Sequence, residues 1–309
     1  MSHGFKDADF SKLAEIYNGF APPKYRIDAE LLRLKTVENP VFDWGASCIE
    51  DDHAFIAVKR SAASLYKGPF QDIAHVTILG FNDPHSMIDR MNETKRCLRD
   101  RGVQELFFGT DTGHFFPGVP TDFPALRDFL IIGGFTEGGE AHDMERDLKD
   151  YECKVPIPAG DVFRPLVESD LPELDSFLGR EFTGRWRYDV IQKAAAEGPG
   201  TVFGLFVEDK CEGFALLQWD PSKLPIGGAV WRNDLGEHWG SLGPIGVSAH
   251  LRGRGSGNAL LGKALEHLRD KGTRRCIIDW TGLVDFYGAH GFEVTRTYRY
   301  MSLDLEASR

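Results

Sequence analysis

Two hydrophobic periods alternate along this chain. Apolar residues recur at helical spacing over 8–20, 28–38, 86–101, 123–132, 171–182 and 188–196. They do so again in a stretch closed by Gly272, where Leu260, Leu261, Ala264, Leu265 and Leu268 share one face. Between these lie short apolar or alternating runs that predict strands: 43–49, 54–60, 73–81, 105–108, 162–167, 202–207, 213–219, a run opening at Pro244, and 276–280. Helices interleaved with strands predict the α/β class, with a mixed sheet of α+β character. Ser169 and Asp170 read as caps of the 171–182 helix. Two long segments, 109–122 and 220–238, carry neither period. The second reads either as a solvated loop or as one whose Asp220, Asp234 and Glu237 meet a cationic ligand.

The order of elements occurs twice. At an offset of 170, Leu98, Arg99, Asp100 and Gly102 return as Leu268, Arg269, Asp270 and Gly272. At an offset of 157, Asp128, Phe129, Gly134, Phe135, Met144, Asp147 and Leu148 return as Asp285, Phe286, Gly291, Phe292, Met301, Asp304 and Leu305. The offset changes because the first half has the longer loop after 105–108. Duplication is the reading, with domains 1–155 and 156–309 joined at Pro156, Ile157, Pro158, Ala159 and Gly160.

Candidate chemistry gathers in the second half. Arg252, Gly253, Arg254, Gly255, Ser256 and Gly257 open a helix. Glycines let backbone amides approach a ligand, and a helix N-terminus adds free N–H groups and partial positive charge, a combination that suits phosphate. No Gly-Lys-Ser/Thr follows, and counted from Gly253 the third glycine of a dinucleotide fingerprint falls on Asn258. Downstream come Asp285, Phe286 and Tyr287, then Gly291 and Phe292. The two patterns together resemble the GCN5-related N-acetyltransferase (GNAT) family, over roughly 163–305. The resemblance implies acetyl-CoA as cosubstrate. It implies a pyrophosphate cradle at Arg252, Gly253, Arg254, Gly255, Ser256 and Gly257, and backbone pairing of pantetheine with Ile245, Gly246 and Val247. Tyr287 would protonate the leaving thiolate. Ile278, Asp279, Trp280, Thr281 and Gly282 further resemble bacterial glucosamine and glucosaminide N-acetyltransferases.

The whole chain then looks like two tandem GNAT folds with a degenerate N-terminal copy. The glycine loop falls there on Asp83, Pro84, His85, Ser86 and Met87, and Tyr287 falls on Leu130. Asp279, at a strand end beside the Phe-Tyr helix, has two readings. It is the base that deprotonates an ammonium, or it caps the turn through Trp280 and Thr281.

Composition changes this picture little. A formal net charge of −11 over 309 residues argues against a nucleic-acid surface and suits a cationic substrate. Five scattered cysteines without a C-x-x-C pair suggest neither a disulfide framework nor a metal site. A polar N-terminus and no apolar run near ~20 residues lead to the expectation of a cytoplasmic protein, away from membranes. The oligomeric state stays open. The expected function is acetyl transfer to a primary amine of a small molecule, an amino sugar or glucosaminide being favoured. The alternatives are a mycothiol-synthase-like reaction, a protein or peptide amine as acceptor, or a non-catalytic CoA-binding module.

Overall fold

The computed structural model describes residues 4–50, 53–60 and 73–306. It divides into two compact units, Met1–His142 with Arg296–Arg309, and Asp143–Thr295. The first runs α1 (Phe10–Phe20), α2 (Ala29–Lys35), β1 (Cys48–Glu50), β2 (Ala54–Arg60), β3 (Ile73–Phe81), α3 (Pro84–Asp100), β4 (Glu105–Phe108), β5 (Val119–Pro120) and α4 (Pro124–Ile132), then enters β6 (Thr136–Asp147). The second takes the end of β6, then β7 (Asp161–Pro165), α5 (Leu171–Glu181), α6 (Arg185–Glu197), β8 (Val202–Val207), β9 (Lys210–Trp219), α7 (Arg232–Leu235), β10 (Trp239–Val247), α8 (Ser256–Asp270), β11 (Arg275–Thr281) and α9 (Val284–Gly288). The last strand, β12 (Glu293–Asp304), returns to the first unit from Arg296 onward and pairs antiparallel with β4, Met301 opposite Phe108.

The units therefore do not follow the expected cut between 155 and 156. A cut in sequence assumes that each half keeps its own closing strand. Here β12 hydrogen-bonds to β4, so its ladder places it with the first unit, and β6 is divided at Asp143.

Each unit has the same pairing logic. In the first, β1, β2 and β3 are antiparallel neighbours, and β3 runs parallel to β4 across α3. In the second, β7, β8, β9 and β10 are antiparallel neighbours, and β10 runs parallel to β11 across α8. A parallel pair needs such a crossover. Local caps repeat as well. α3 ends with Gly102 at φ +77 and Val103 N bonded to Leu98 O, and α8 ends with Gly272 at φ +95 and Thr273 N bonded to Leu268 O. Both are Schellman closures, in which only glycine takes the left-handed position without cost. A non-glycine residue also turns left-handed near the end of each second parallel strand: Thr110, two residues past β4, at φ +60 and Trp280, the next-to-last residue of β11, at φ +48.

In the second unit, the α8 stripe is buried against β8, β9, β10 and β11, in one cluster with Leu205, Leu217, Leu242, Ile278 and Tyr287. Each leucine so buried contributes about 1.5–3 kcal/mol. That packing fixes where the N-terminus of α8 lies. In the first unit, an ion pair lies just past the end of the β3–β4 ladder. Lys59 and Asp111, both about 1% exposed, meet at 2.7 Å, and Thr77 donates to the same Asp111 oxygen at 2.8 Å.

Candidate active site

The site is framed by β10. Its pairing with β11 runs from Trp239 opposite Arg275 to Ser241 opposite Ile277 and ends there, while both strands continue. On its other edge, the register against β9 shifts between Leu242 and Ile245, so Gly243 and Pro244 form a bulge. Beyond the bulge Ile245, Gly246 and Val247 are again paired with β9. An extended ligand lying along the opposite edge would meet their free-side backbone groups. Gly246 has a separate steric reason: a Cβ there would sit 2.4 Å from the ring of Phe182, which lies against the strand.

β10 runs straight into the glycine loop. Ser248 N is held by Glu212 O and Ala249 N by the Glu181 carboxylate, which set the direction of the turn. Gly253 has φ +76 and Gly255, the N-cap of α8, φ +92. A Cβ on Gly253 would meet nothing within 4 Å, and one on Gly255 only Pro158 at 3.9 Å. These glycines answer to backbone angle, with open space in front of them. No side chain caps α8. Its first-turn amides and the exposed Arg252 and Arg254 thus face solvent around that space, whereas the Ser256 side chain is buried. Uncapped amides, a helix dipole and two guanidinium groups suit the pyrophosphate of a coenzyme.

Asp279 and Tyr287 lie where β10 and β11 have parted. Tyr287 is buried in the α8 core. Burial, and next the Asp279 charge, hold its phenol well above the ordinary tyrosine range, so it stays protonated. Asp279 is bracketed by glycines. A Cβ on Gly227 would come within 2.6 Å of its carboxylate, one on Gly228 within 3.3 Å of its Cβ, and one on Gly243 within 3.6 Å of its carboxylate. The turn after Asp279 has other caps: Trp280 N donates to Asp143 and Leu283 N to Thr281 Oγ1.

Segment 220–238, read as a loop, contains two helical pieces: a buried 3-10 turn, Gly227–Trp231, and α7. Its entry is tied to α6, with Glu197 accepting from Lys223 N and Leu224 N, and Lys193 donating to Glu197 and Leu224 O. Asp220, Asp234 and Glu237 are spread along it. Asp234 makes a 3.7 Å pair with Arg275. The residues missed in the sequence are Gly227, Gly228, Trp231 and Asp143. The one visible signal was the Gly-Gly pair.

Residues 169–292 match the sequence model of the acetyltransferase (GNAT) family. That segment is a GNAT acetyltransferase domain by this match. No curated protein matches the sequence. Among solved structures, 98% of the chain superposes on the GCN5-related glucosamine N-acetyltransferase region of a fungal multi-domain GH3 β-N-acetylglucosaminidase, with TM-score 0.84 and 18% identity. The chain spans 38% of that protein's length. A GCN5-related N-acetyltransferase from Sphaerobacter thermophilus is matched over 99% of this chain and 95% of its own, with TM-score 0.68 and 15% identity. A tandem GNAT protein from the clavulanic acid biosynthesis pathway is matched over 99% and 98%, with TM-score 0.65 and 12% identity. At these identities the likeness is one of fold.

The second unit holds its glycine loop and its tyrosine helix together through one histidine. Tyr151 Oη lies 2.7 Å from His290 Nδ1, and His290 Nε2 lies 2.7 Å from Asn258 Oδ1 in the first turn of α8. With the imidazole neutral, Nε2–H donates to Asn258 Oδ1 and the phenol donates to Nδ1. Burial, then the Arg146 guanidinium, hold His290 below its ordinary value. A histidine so depressed gives stability that is present above about pH 6.5, its unfolded value, and lost as pH falls through the folded value. Between pH 7 and pH 5 the wild type should therefore lose more melting temperature than His290→Gln, measured by calorimetry. Equal losses would show that His290 does not carry this linkage.

Among the described residues, no group of three or more His, Cys, Asp or Glu is placed to hold a metal ion, and no helix is long and apolar enough to cross a membrane.

Proposed function

We propose that the chain is an acetyl-CoA-dependent N-acetyltransferase for a primary amine of a small molecule, with an amino sugar or glucosaminide as the favoured acceptor. The observation that carries this is the placing of Asp279, on β11 beyond its ladder with β10, within electrostatic range of the buried Tyr287. The uncapped glycine loop follows on the same strand β10. The sugar preference draws support from Trp280, Thr281 and Gly282 and from the glucosamine N-acetyltransferase region that shares the fold. Arg252, Gly253, Arg254, Gly255, Ser256 and Gly257 would hold the pyrophosphate, Ser256 by its backbone only. Ile245, Gly246 and Val247 would pair with the pantetheine chain and polarise the thioester carbonyl.

The reaction divides the charges between two groups. Asp279 takes the ammonium proton, directly or through a water. The nitrogen lone pair then forms the N–C bond as the C–S bond breaks, the Tyr287 proton goes to sulfur, and the second proton shed by the acylated nitrogen returns Tyr287 to its neutral form through solvent. Holding the partners in line is worth up to about 7–11 kcal/mol, more than either proton transfer. The first unit acts as a degenerate copy in this reading. Its loop equivalent lacks glycine, and a buried Lys59–Asp111 ion pair lies just past the end of its β3–β4 ladder.

The test is thiol release from acetyl-CoA across a panel of glucosamine, glucosaminides, amino acids and peptides with free α-amines. Turnover on an aminosugar supports the proposal. Turnover on peptides alone would replace the acceptor class, and binding without turnover on any amine would favour a CoA-binding module. Tyr287→Phe keeps the ring and removes the proton. Its kcat should fall by about 10- to 100-fold, with acetyl-CoA affinity nearly unchanged. An unchanged kcat would mean that water protonates the thiolate.

A further inference from the structure

Asp143 is a fully buried carboxylate with both oxygens engaged at 3.2 Å. Oδ1 accepts from Trp280 N, and Oδ2 accepts from Trp231 Nε1. Its two partners belong to two segments that meet at Asp279. Trp280 is the next residue on β11, held at φ +48, a backbone angle that aromatic residues rarely adopt. Trp231 ends the buried turn whose Gly227 and Gly228 press on the Asp279 side chain. A strained residue of this kind persists only when its surroundings over-determine it. The same strand also secures the start of β11, since Glu145 accepts from Arg275 at 2.5 Å and from Thr295 at 2.9 Å.

We propose that Asp143 is a positioning residue of the acetyl transfer: it clamps Trp280 and Trp231 so that the Asp279 carboxylate is held toward the acceptor. The inference rests on Asp279 being the base. It goes beyond that reading by assigning a role to a residue that meets neither substrate. The clamp needs two acceptors. Asn in place of Asp puts an NH2 group against one of two N–H donors, whichever way the amide turns, so one arm opens while size and burial stay the same.

The test is a double-mutant cycle on the full chain with the best acceptor amine, using Asp143→Asn, Asp279→Asn and both together. Asp143→Asn should lower acceptor kcat/KM by about 10-fold or more, leave the acetyl-CoA Kd unchanged, and add nothing in the Asp279→Asn background. Its deficit should also shrink as pH rises, as that of Asp279→Asn does, which a merely structural lesion would not do. Replacing Trp231 by Phe in the Asp143→Asn protein removes the opposed donor and should restore part of the rate. If Asp143→Asn does not fold, Trp231→Phe alone opens one arm with the carboxylate intact, and its loss must likewise vanish in the Asp279→Asn background. A loss that multiplies with that of Asp279→Asn overturns the clamp. A fully active Asp279→Asn overturns the base reading itself, and the clamp with it.

Discussion

Gly255→Asp should weaken acetyl-CoA binding severely, where the wild type should take up one equivalent per chain. At φ +92 a Cβ is strained, yet the space in front of it is open, with Pro158 at 3.9 Å the nearest contact. Sterics therefore do not decide the result. The decisive term is a carboxylate at the anion-binding end of α8. A negative charge there is favourable to the helix, by about 0.3–1 kcal/mol, so the fold should survive while the pyrophosphate is repelled. Gly257→Asp should act alike without backbone strain, because Gly257 lies inside α8 and a Cβ would only touch Val247 at 3.8 Å. Titration calorimetry should show affinity reduced by roughly 100-fold or more, about 2.7 kcal/mol, in both. Gly255→Ala separates strain from charge and should lose far less. Normal binding by either Asp variant would mean that the pyrophosphate lies elsewhere. Two equivalents per wild-type chain would show that the first unit is not degenerate.

Some strands were legible in the sequence to the residue, whereas the run 43–49 is strand only from Cys48. Runs 73–81, 105–108 and 202–207 coincide with β3, β4 and β8, because continuous apolar runs bounded by turn residues leave little choice of register. The α8 stripe was equally plain, and all five of its expected residues are buried. Where a polar or small residue serves a distant partner, the local pattern misleads. Asp170 carries the composition of an N-cap, yet its carboxylate grips Arg164 at 2.6 and 2.9 Å and takes Val167 N, leaving α5 without a side-chain cap. Asp143 and Glu145 occupy alternate positions of a strand, the pattern of a solvent face, but both are buried as partners of β11. Gly227 and Gly228 look like loop residues because nothing nearby in sequence says that Asp279 will lie against them. Likewise, no local signal tells β12 to pair with β4.

Asp279→Asn is the substitution with the largest expected effect on chemistry. Asn keeps the shape that fits against Gly227, Gly228 and Gly243, so the glycine-lined surround should close as before. What is lost is the charge. At pH 7 an alkyl amine is almost wholly protonated, and without a base the reaction must draw on its small neutral fraction. A fall of about 100-fold or more in kcat/KM is expected. The fall should shrink as pH rises, since solvent then deprotonates more of the amine. The change cannot act through Tyr287. Losing the neighbouring negative charge would ease its phenol downward, but burial is the larger influence, so the proton stays available. A residue that only capped the turn would behave differently, costing about 0.5–2 kcal/mol of stability with the shape of the pH profile unchanged. That turn already has Thr281 and Asp143 on its amides. Rates for both proteins from pH 6 to pH 9.5 decide the matter. A ratio of wild-type to variant kcat/KM that stays constant across the range would remove Asp279 from the proton path and leave the acceptor to be deprotonated by water.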